Sequence, residues 1–225
     1  MQESSRLCAI CGKRKPKRFC PGVSGDICTL CCGTEREVTV LCPLTCVYLI
    51  ESRGHAVRRE VDPKTLPNMD IVVDEPFLRR NESLMTMIAM TMLKASLFEG
   101  VQLLDTDIRD ALAALTQTYK TLQSGLVYEV RPENPLAGKV VVAVQETVAT
   151  IREYLAGEQV RLDDRNVLKV LVFFQRIELT HWNGRPKSRG FIHFLGGFVP
   201  PQAVAEPSDT TLVSGDAPSG LIITP

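Results

Sequence analysis

The sequence predicts two folded units, a small cysteine-rich module stabilised by zinc and a larger all-α helical bundle. All eight cysteines lie within the first 46 of 225 residues, whereas amphipathic helical patterns recur between residues 77 and 195. With 44% hydrophobic residues, the chain is long enough for one sizeable core and a small appendage. The predicted division is a zinc-binding module (1–54), a linker (61–76), a bundle (77–199) and a disordered tail (200–225).

The cysteines have the spacing of a metal site rather than that of scattered core residues. Cys8 and Cys11 form one two-residue knuckle, and Gly12 gives this turn the backbone freedom that it needs. Cys28 and Cys31 form a second knuckle. The first residues lack the apolar core of a signal peptide, so we expect a cytoplasmic protein with reduced thiols. Zinc is therefore expected in place of disulfide bonds.

Eight thiols suffice for two tetrahedral zinc ions. Because the pairs alternate along the chain, we favour a crossed arrangement with two sets of four ligands. The first set is Cys8, Cys11, Cys28 and Cys31, and the second set is Cys20, Cys32, Cys42 and Cys46. Cys31 and Cys32 could exchange roles, and His55 could replace a cysteine. At least one zinc is expected, and a one-zinc module with unused thiols remains open.

The sequence indicates no enzyme. A zinc ion held by four cysteines has no open coordination position, so its role is structural. The GxxxxGK, GxSxG and HExxH motifs of phosphate loops, hydrolases and zinc proteases do not occur in the sequence. A redox role for the CxxC pairs is disfavoured because no βαβ pattern surrounds them.

Two cationic runs are candidate contact sites for a partner protein or a nucleic acid. The first run is Lys13, Arg14, Lys15, Lys17 and Arg18. The second run is Arg185, Lys187 and Arg189, together with the single tryptophan, Trp182, which could stack on a base or fill a partner's pocket. Solvated loops and a core-anchoring tryptophan are the plainer alternatives. The zero net charge of the chain disfavours nucleic acid as the first choice.

Apolar residues recur every three or four positions through most of the predicted bundle. This periodicity predicts helices over residues 77–98, 106–123, 138–157, 164–180 and 189–195, the last after a possible Ser188 cap. The core of the central helix should contain Leu168, Leu171, Val172 and Phe174. The methionines Met85, Met87, Met90 and Met92 are expected in the core, although they could form a groove for a partner helix.

Two further expectations concern the membrane and the last residues. No apolar run is long enough to span a bilayer, so no membrane association is expected. The final residues, LIITP, could act as a short linear motif or be an idle terminus.

The cysteine pattern resembles the treble-clef and cross-brace zinc fingers, most closely the HIT type, in which a CxxC knuckle is followed by ligand pairs at helix starts. The resemblance covers residues 8–46. The chain is also similar to bacterial proteins that join such a head, with its CCGTERE and CPLTCVYL runs, to a helical domain. This resemblance implies a treble-clef-like module that serves protein assembly.

From these observations we expect an interaction or adaptor protein whose zinc module and bundle present a protein-binding surface. Nucleic-acid binding through the two cationic runs is the alternative.

Overall fold

The computed structural model describes residues 7–56, 60–98 and 102–198. Within these ranges the regular structure consists of eight α-helices, one short 3-10 helix (Pro63–Thr65) and one two-stranded sheet. The predicted disordered tail lies outside the described residues, as do residues 1–6 of the predicted module. No helix in the described ranges is both long and apolar enough to cross a membrane.

The cysteine-rich module consists of a hairpin and two short helices. Strands β1 (Arg18–Cys20) and β2 (Gly25–Ile27) pair antiparallel, and they are followed by α1 (Thr29–Glu35) and α2 (Val47–Gly54). The buried residues of the module are Cys8, Cys20, Ile27, Cys28, Cys31, Val40, Cys42 and Leu49. Cysteines therefore outnumber aliphatic side chains in this interior, which is too small to fold on apolar burial alone.

Six further helices form the bundle. They are α3 (Glu75–Arg80), α4 (Glu82–Leu97), α5 (Asp105–Gln123), α6 (Pro135–Gly157), α7 (Asp164–His181) and α8 (Gly190–Phe198). Helix α5 packs against both α6 and α7, while α4 packs against α6 and α8. The four predicted core residues of α7 are all buried: Leu168, Leu171, Val172 and Phe174. The mostly helical bundle expected from the periodicity is therefore confirmed.

Helix boundaries differ from the prediction at several places, one of which is the end of α8, at Phe198 instead of residue 195. The helix predicted over residues 77–98 is two helices, because the backbone leaves the helical conformation at Asn81, where φ is −114° and ψ is 21°. The side-chain amide of Asn81 donates a hydrogen bond to the backbone carbonyl of Phe77 at 2.9 Å, and α3 ends there. Helix α6 begins at Pro135, where proline suits the first turn and the Asn134 side chain caps it.

The methionines of α4 belong mostly to the core. Met85 and Met92 are buried, and Met90 is partly buried against the same core. Met87 is exposed. A single exposed methionine does not make the groove that was the alternative interpretation.

A buried polar junction joins the module to the bundle. Glu37, which follows α1, is only 2% exposed. Its carboxylate accepts a hydrogen bond from the Arg53 guanidinium at 2.7 Å. It also accepts hydrogen bonds from the Asn183 side-chain amide at 2.7 Å and from the Arg189 backbone N–H at 3.1 Å. The buried charge of Glu37 is therefore balanced by several hydrogen-bond donors. We call residues 183–189 the clamp segment, because they tie the module to the bundle.

The clamp segment also leads into α8. The buried carboxylate of Asp105 accepts the Ser188 hydroxyl at 2.6 Å and the backbone N–H groups of Phe191 and Ile192 at 3.1 and 3.2 Å. Burial raises the pKa of Asp105, and these hydrogen bonds oppose that rise. The expected Ser188 cap makes only a 3.4 Å contact with the Gly190 N–H, so Asp105 from α5 supplies most of the capping.

Replacing Glu37 by alanine should destabilise the protein by about 3–5 kcal/mol, because Arg53 loses its buried counter-charge while Asn183 and the Arg189 backbone N–H lose their acceptor. Denaturant unfolding of the zinc-loaded chain measures this loss. The control is Glu51→Ala, an exposed position on α2 that should change the free energy of unfolding by less than about 0.5 kcal/mol. Equal effects of the two substitutions would contradict a stabilising junction.

Candidate metal centre

Four cysteine sulfurs meet at one point of the module. The Sγ atoms of Cys8, Cys11, Cys28 and Cys31 all lie within 4.8 Å of one another. A tetrahedral zinc ion with Zn–S bonds of about 2.3 Å needs sulfurs about 3.8 Å apart, which this arrangement can supply. The first predicted set of ligands is therefore placed so that it could hold one metal ion.

Backbone hydrogen bonds shape the first knuckle. The Gly12 N–H donates to the Cys8 carbonyl at 2.8 Å and closes the turn. Gly12 has φ 60°, in the left-handed region that favours glycine. The Ala9 N–H donates to the Asp26 carbonyl at 2.9 Å, which joins the knuckle to β2. The hairpin therefore fixes where the sulfurs of Cys8 and Cys11 lie.

The start of α1 supplies the other two sulfurs. Cys28 is the N-cap residue of α1, and its Sγ accepts the Cys31 N–H at 3.4 Å. The Cys28 N–H in turn donates to the Sγ of Cys8 at 3.2 Å. Backbone N–H groups aimed at sulfur favour the thiolate, which is the form that binds a metal.

The thiols of this cluster ionise at different pH values. Burial raises the pKa of Cys8, but hydrogen bonds from backbone N–H groups, led by those of Cys11 and Cys28, lower it to about 6. Burial raises the pKa of Cys31 to about 12, and the neighbouring cysteine side chains add to this rise. One thiol of the cluster is therefore ionised near neutral pH, whereas another must lose a proton when a cation binds.

The second predicted set of cysteines surrounds a small cavity. The cavity has a volume of about 20 Å³, and its lining includes Cys20, Cys32, Cys42 and Cys46, from β1, α1 and the approach to α2, together with Cys31 of the first set. Burial raises the pKa of Cys42. In the part of the chain that the structure describes, these sulfurs do not form a second cluster of closely spaced ligands. His55 is exposed at the end of α2 and lies outside the first cluster.

Three arginines lie beside cysteine sulfurs. The guanidinium of Arg14 is 3.9 Å from the Sγ of Cys11. Those of Arg18 and Arg36 are 3.8 and 3.6 Å from the Sγ of Cys32. Four thiolates carry more negative charge than one zinc ion neutralises, and nearby cations offset the excess. Arg14 and Arg18, which were predicted to contact a partner, therefore also lie where they can offset the negative charge of the thiolates.

The two cationic runs differ in whether their side chains make contacts within the chain. Lys13, Lys15 and Lys17 are exposed, and among the described residues their side chains make no hydrogen bond or ion pair. In contrast, Arg185 and Lys187 donate to backbone carbonyls of residues 33–39, in and after α1. These two cations hold the clamp segment on the module.

The remaining predicted contact residues also lie within internal contacts. Arg189 is buried and donates to the Ser96 carbonyl at 3.1 Å. The guanidinium of Arg109 lies 4.3 Å from the centre of the Trp182 ring, and it makes two hydrogen bonds of 2.8 Å with the buried carboxylate of Glu178. Trp182 is therefore packed at the end of α7.

Sequence reasoning missed the buried acids that hold the junction. Glu37 lies in the polar run GTEREVTV, and Asp105 has the sequence signature of an ordinary acidic residue in a first helical turn. The one signal for Glu37 is its position between the candidate ligands Cys32 and Cys42.

The affinity of the first cluster for zinc should rise as pH rises from about 6 to about 9, because Cys31 must release its proton on binding. Competition with a chromophoric zinc chelator at several pH values measures this dependence. Cys11→Ser provides the matched control, since it removes one ligand and should abolish tight binding at this centre. Affinity that is independent of pH would mean that these thiols are not the ligands.

Comparison of the chain with protein families, curated proteins and solved structures found no match. The candidate metal centre is therefore supported by the geometry of its four cysteines.

Proposed function

We propose that this chain is a zinc-binding, non-catalytic adaptor in which the module and the bundle together present a protein-binding surface. The close approach of Cys8, Cys11, Cys28 and Cys31 carries the proposal. Four thiolates complete the coordination of a tetrahedral zinc ion and leave no position for a substrate. Zinc then stabilises a module that has little apolar interior. Thiols kept reduced for metal binding favour a location in the cytoplasm.

We extend the proposal to a second zinc ion in a crossed, treble-clef-like module. The supporting observation is that the second set, Cys20, Cys32, Cys42 and Cys46, lines one cavity of about 20 Å³. A single water molecule needs roughly 10–15 Å³ on the same measure, so protein atoms leave a small space among these side chains. The two arginines beside Cys32 would offset the excess negative charge of this site.

Exposed apolar side chains on the module provide the contact surface. Val47 and Ile50 lie one turn apart on α2, so they share a face, and both are exposed. Phe19 on β1 and Leu30 on α1 are exposed as well. Apolar groups displayed on a rigid support bind a partner with little loss of conformational entropy. The junction at Glu37 supplies that rigidity by fixing the module on the bundle.

Nucleic-acid binding is the second candidate function. It is favoured by one observation, the exposure of Lys13, Lys15 and Lys17 without side-chain partners among the described residues. The engagement of Arg185 and Lys187 within the chain reduces the basic surface that this function would use. The adaptor function is therefore preferred.

Two double variants separate the candidates. Val47→Asp with Ile50→Asp places charge on the apolar face, and Lys15→Glu with Lys17→Glu reverses the exposed cationic run. The adaptor function predicts that the first variant loses capture of proteins from an extract of the source cells, while the second retains it. The readouts are quantitative mass spectrometry of captured proteins and retention on immobilised DNA and RNA over a range of salt concentrations.

Each variant must keep the zinc content and circular dichroism of the parent chain for the comparison to count. Affinity for DNA or RNA that falls steeply with salt and is lost on lysine reversal would replace the adaptor function with the nucleic-acid function.

A further inference from the structure

An extended segment returns along α5 before α6 begins. We call residues 126–130 the return segment. The Thr121 hydroxyl donates to the Tyr128 carbonyl at 3.2 Å, and the Thr118 hydroxyl accepts the Val130 N–H at 2.9 Å. Thr118 and Thr121 lie one turn apart on α5, so the segment runs antiparallel to the helix and presents one edge to it.

The opposite edge of the return segment is open. In an extended chain, backbone groups of successive residues point to opposite sides, so those of Val127 and Glu129 face away from α5. Within the described part of the chain these backbone groups make no hydrogen bond. The side chains are also uncovered, with Leu126, Val127 and Tyr128 exposed by 63%, 90% and 65%. An apolar strand edge of this kind is a template for pairing with another extended segment.

A groove beside this edge has room for an added strand. It lies between the chain after Tyr128 and the outer face of α6, and its volume is about 590 Å³. Its lining is part apolar and part charged or polar: the apolar residues are Val130, Pro132, Pro135, Val141, Val142 and Ala143, and the others include Glu129, Arg131, Lys139, Gln145 and Glu146. A Cβ atom added at Gly138 would meet nothing within 4 Å, so the groove is unobstructed there.

We propose that residues 221–224 of this chain, Leu-Ile-Ile-Thr, occupy the groove by adding a strand to the edge at Val127 and Glu129. These residues lie outside the described ranges. Their mostly β-branched, apolar composition suits a paired strand whose side chains contact the apolar part of the groove. The proposal is independent of zinc binding and of the adaptor function.

The length of the connecting chain permits this contact. Helix α8 ends at Phe198, and the roughly 20 residues that follow can span up to about 65 Å. For comparison, the longest helix of the bundle, α6, has 23 residues and is about 35 Å long, roughly half of that span. Tethering gives an effective concentration in the millimolar range, which allows a weak strand pairing to be populated without a partner protein.

Hydrogen exchange at the free edge tests the proposal. In the full chain, the backbone amides of Val127 and Glu129 should exchange slowly. They should exchange at least about tenfold faster in Ile222→Asp with Ile223→Asp, and adding the peptide SGLIITP at millimolar concentration should restore protection. The matched control is Leu212→Asp with Val213→Asp, which alters the other apolar run of the same connecting chain and should leave the amides protected.

Three outcomes would overturn the proposal. The first is equally fast exchange in the full chain and in the isoleucine variant. The second is protection lost in the control variant. The third is protection that increases with protein concentration together with a dimer mass in light scattering, which would assign the edge to a second copy of the chain.

Discussion

The module depends on holding four cysteine sulfurs within 4.8 Å of one another. Burial, together with the neighbouring cysteine side chains, raises the pKa of Cys31 to about 12 and so opposes full ionisation of the cluster. A divalent cation removes this obstacle because it converts mutual repulsion into shared attraction. Since the interior of the module is mostly cysteine, a metal ion bound by these sulfurs would hold the hairpin and α1 together where apolar burial is small.

The turn between Cys32 and Cys42 connects the module to the bundle. Glu37 lies in that turn with φ 54°, a conformation that residues other than glycine seldom adopt. Surrounding contacts must therefore maintain the conformation, and the ion pair with Arg53 and the clamp segment supply them. The module is thus fixed to the bundle by buried charge, and its exposed apolar face has a defined position relative to the helices.

The sequence predicts the parts of the structure that depend on local pattern. The periodicity of α5 and α7 locates both helices and the buried residues Leu171 and Phe174, and the CxxC spacing identifies the first metal cluster. The break at Asn81 is less visible, because asparagine is also tolerated within helices.

The junction could not be predicted, because it depends on contacts between distant parts of the chain. The bond between Glu37 and Asn183 joins residues 146 positions apart. Arg185 and Lys187 have the sequence signature of a contact loop, since nothing in the sequence shows that their acceptors are carbonyls of the module. Local patterns therefore predict the candidate ligands and the helices. They do not predict the packing that determines which cationic side chains remain exposed to a partner.

Native mass spectrometry of the chain purified under reducing conditions without chelator tests the central claim most directly. Our account predicts at least one zinc ion per chain, with the first centre lost in Cys11→Ser. Metal-free protein in which Cys8, Cys11, Cys28 and Cys31 are joined by disulfide bonds would contradict it.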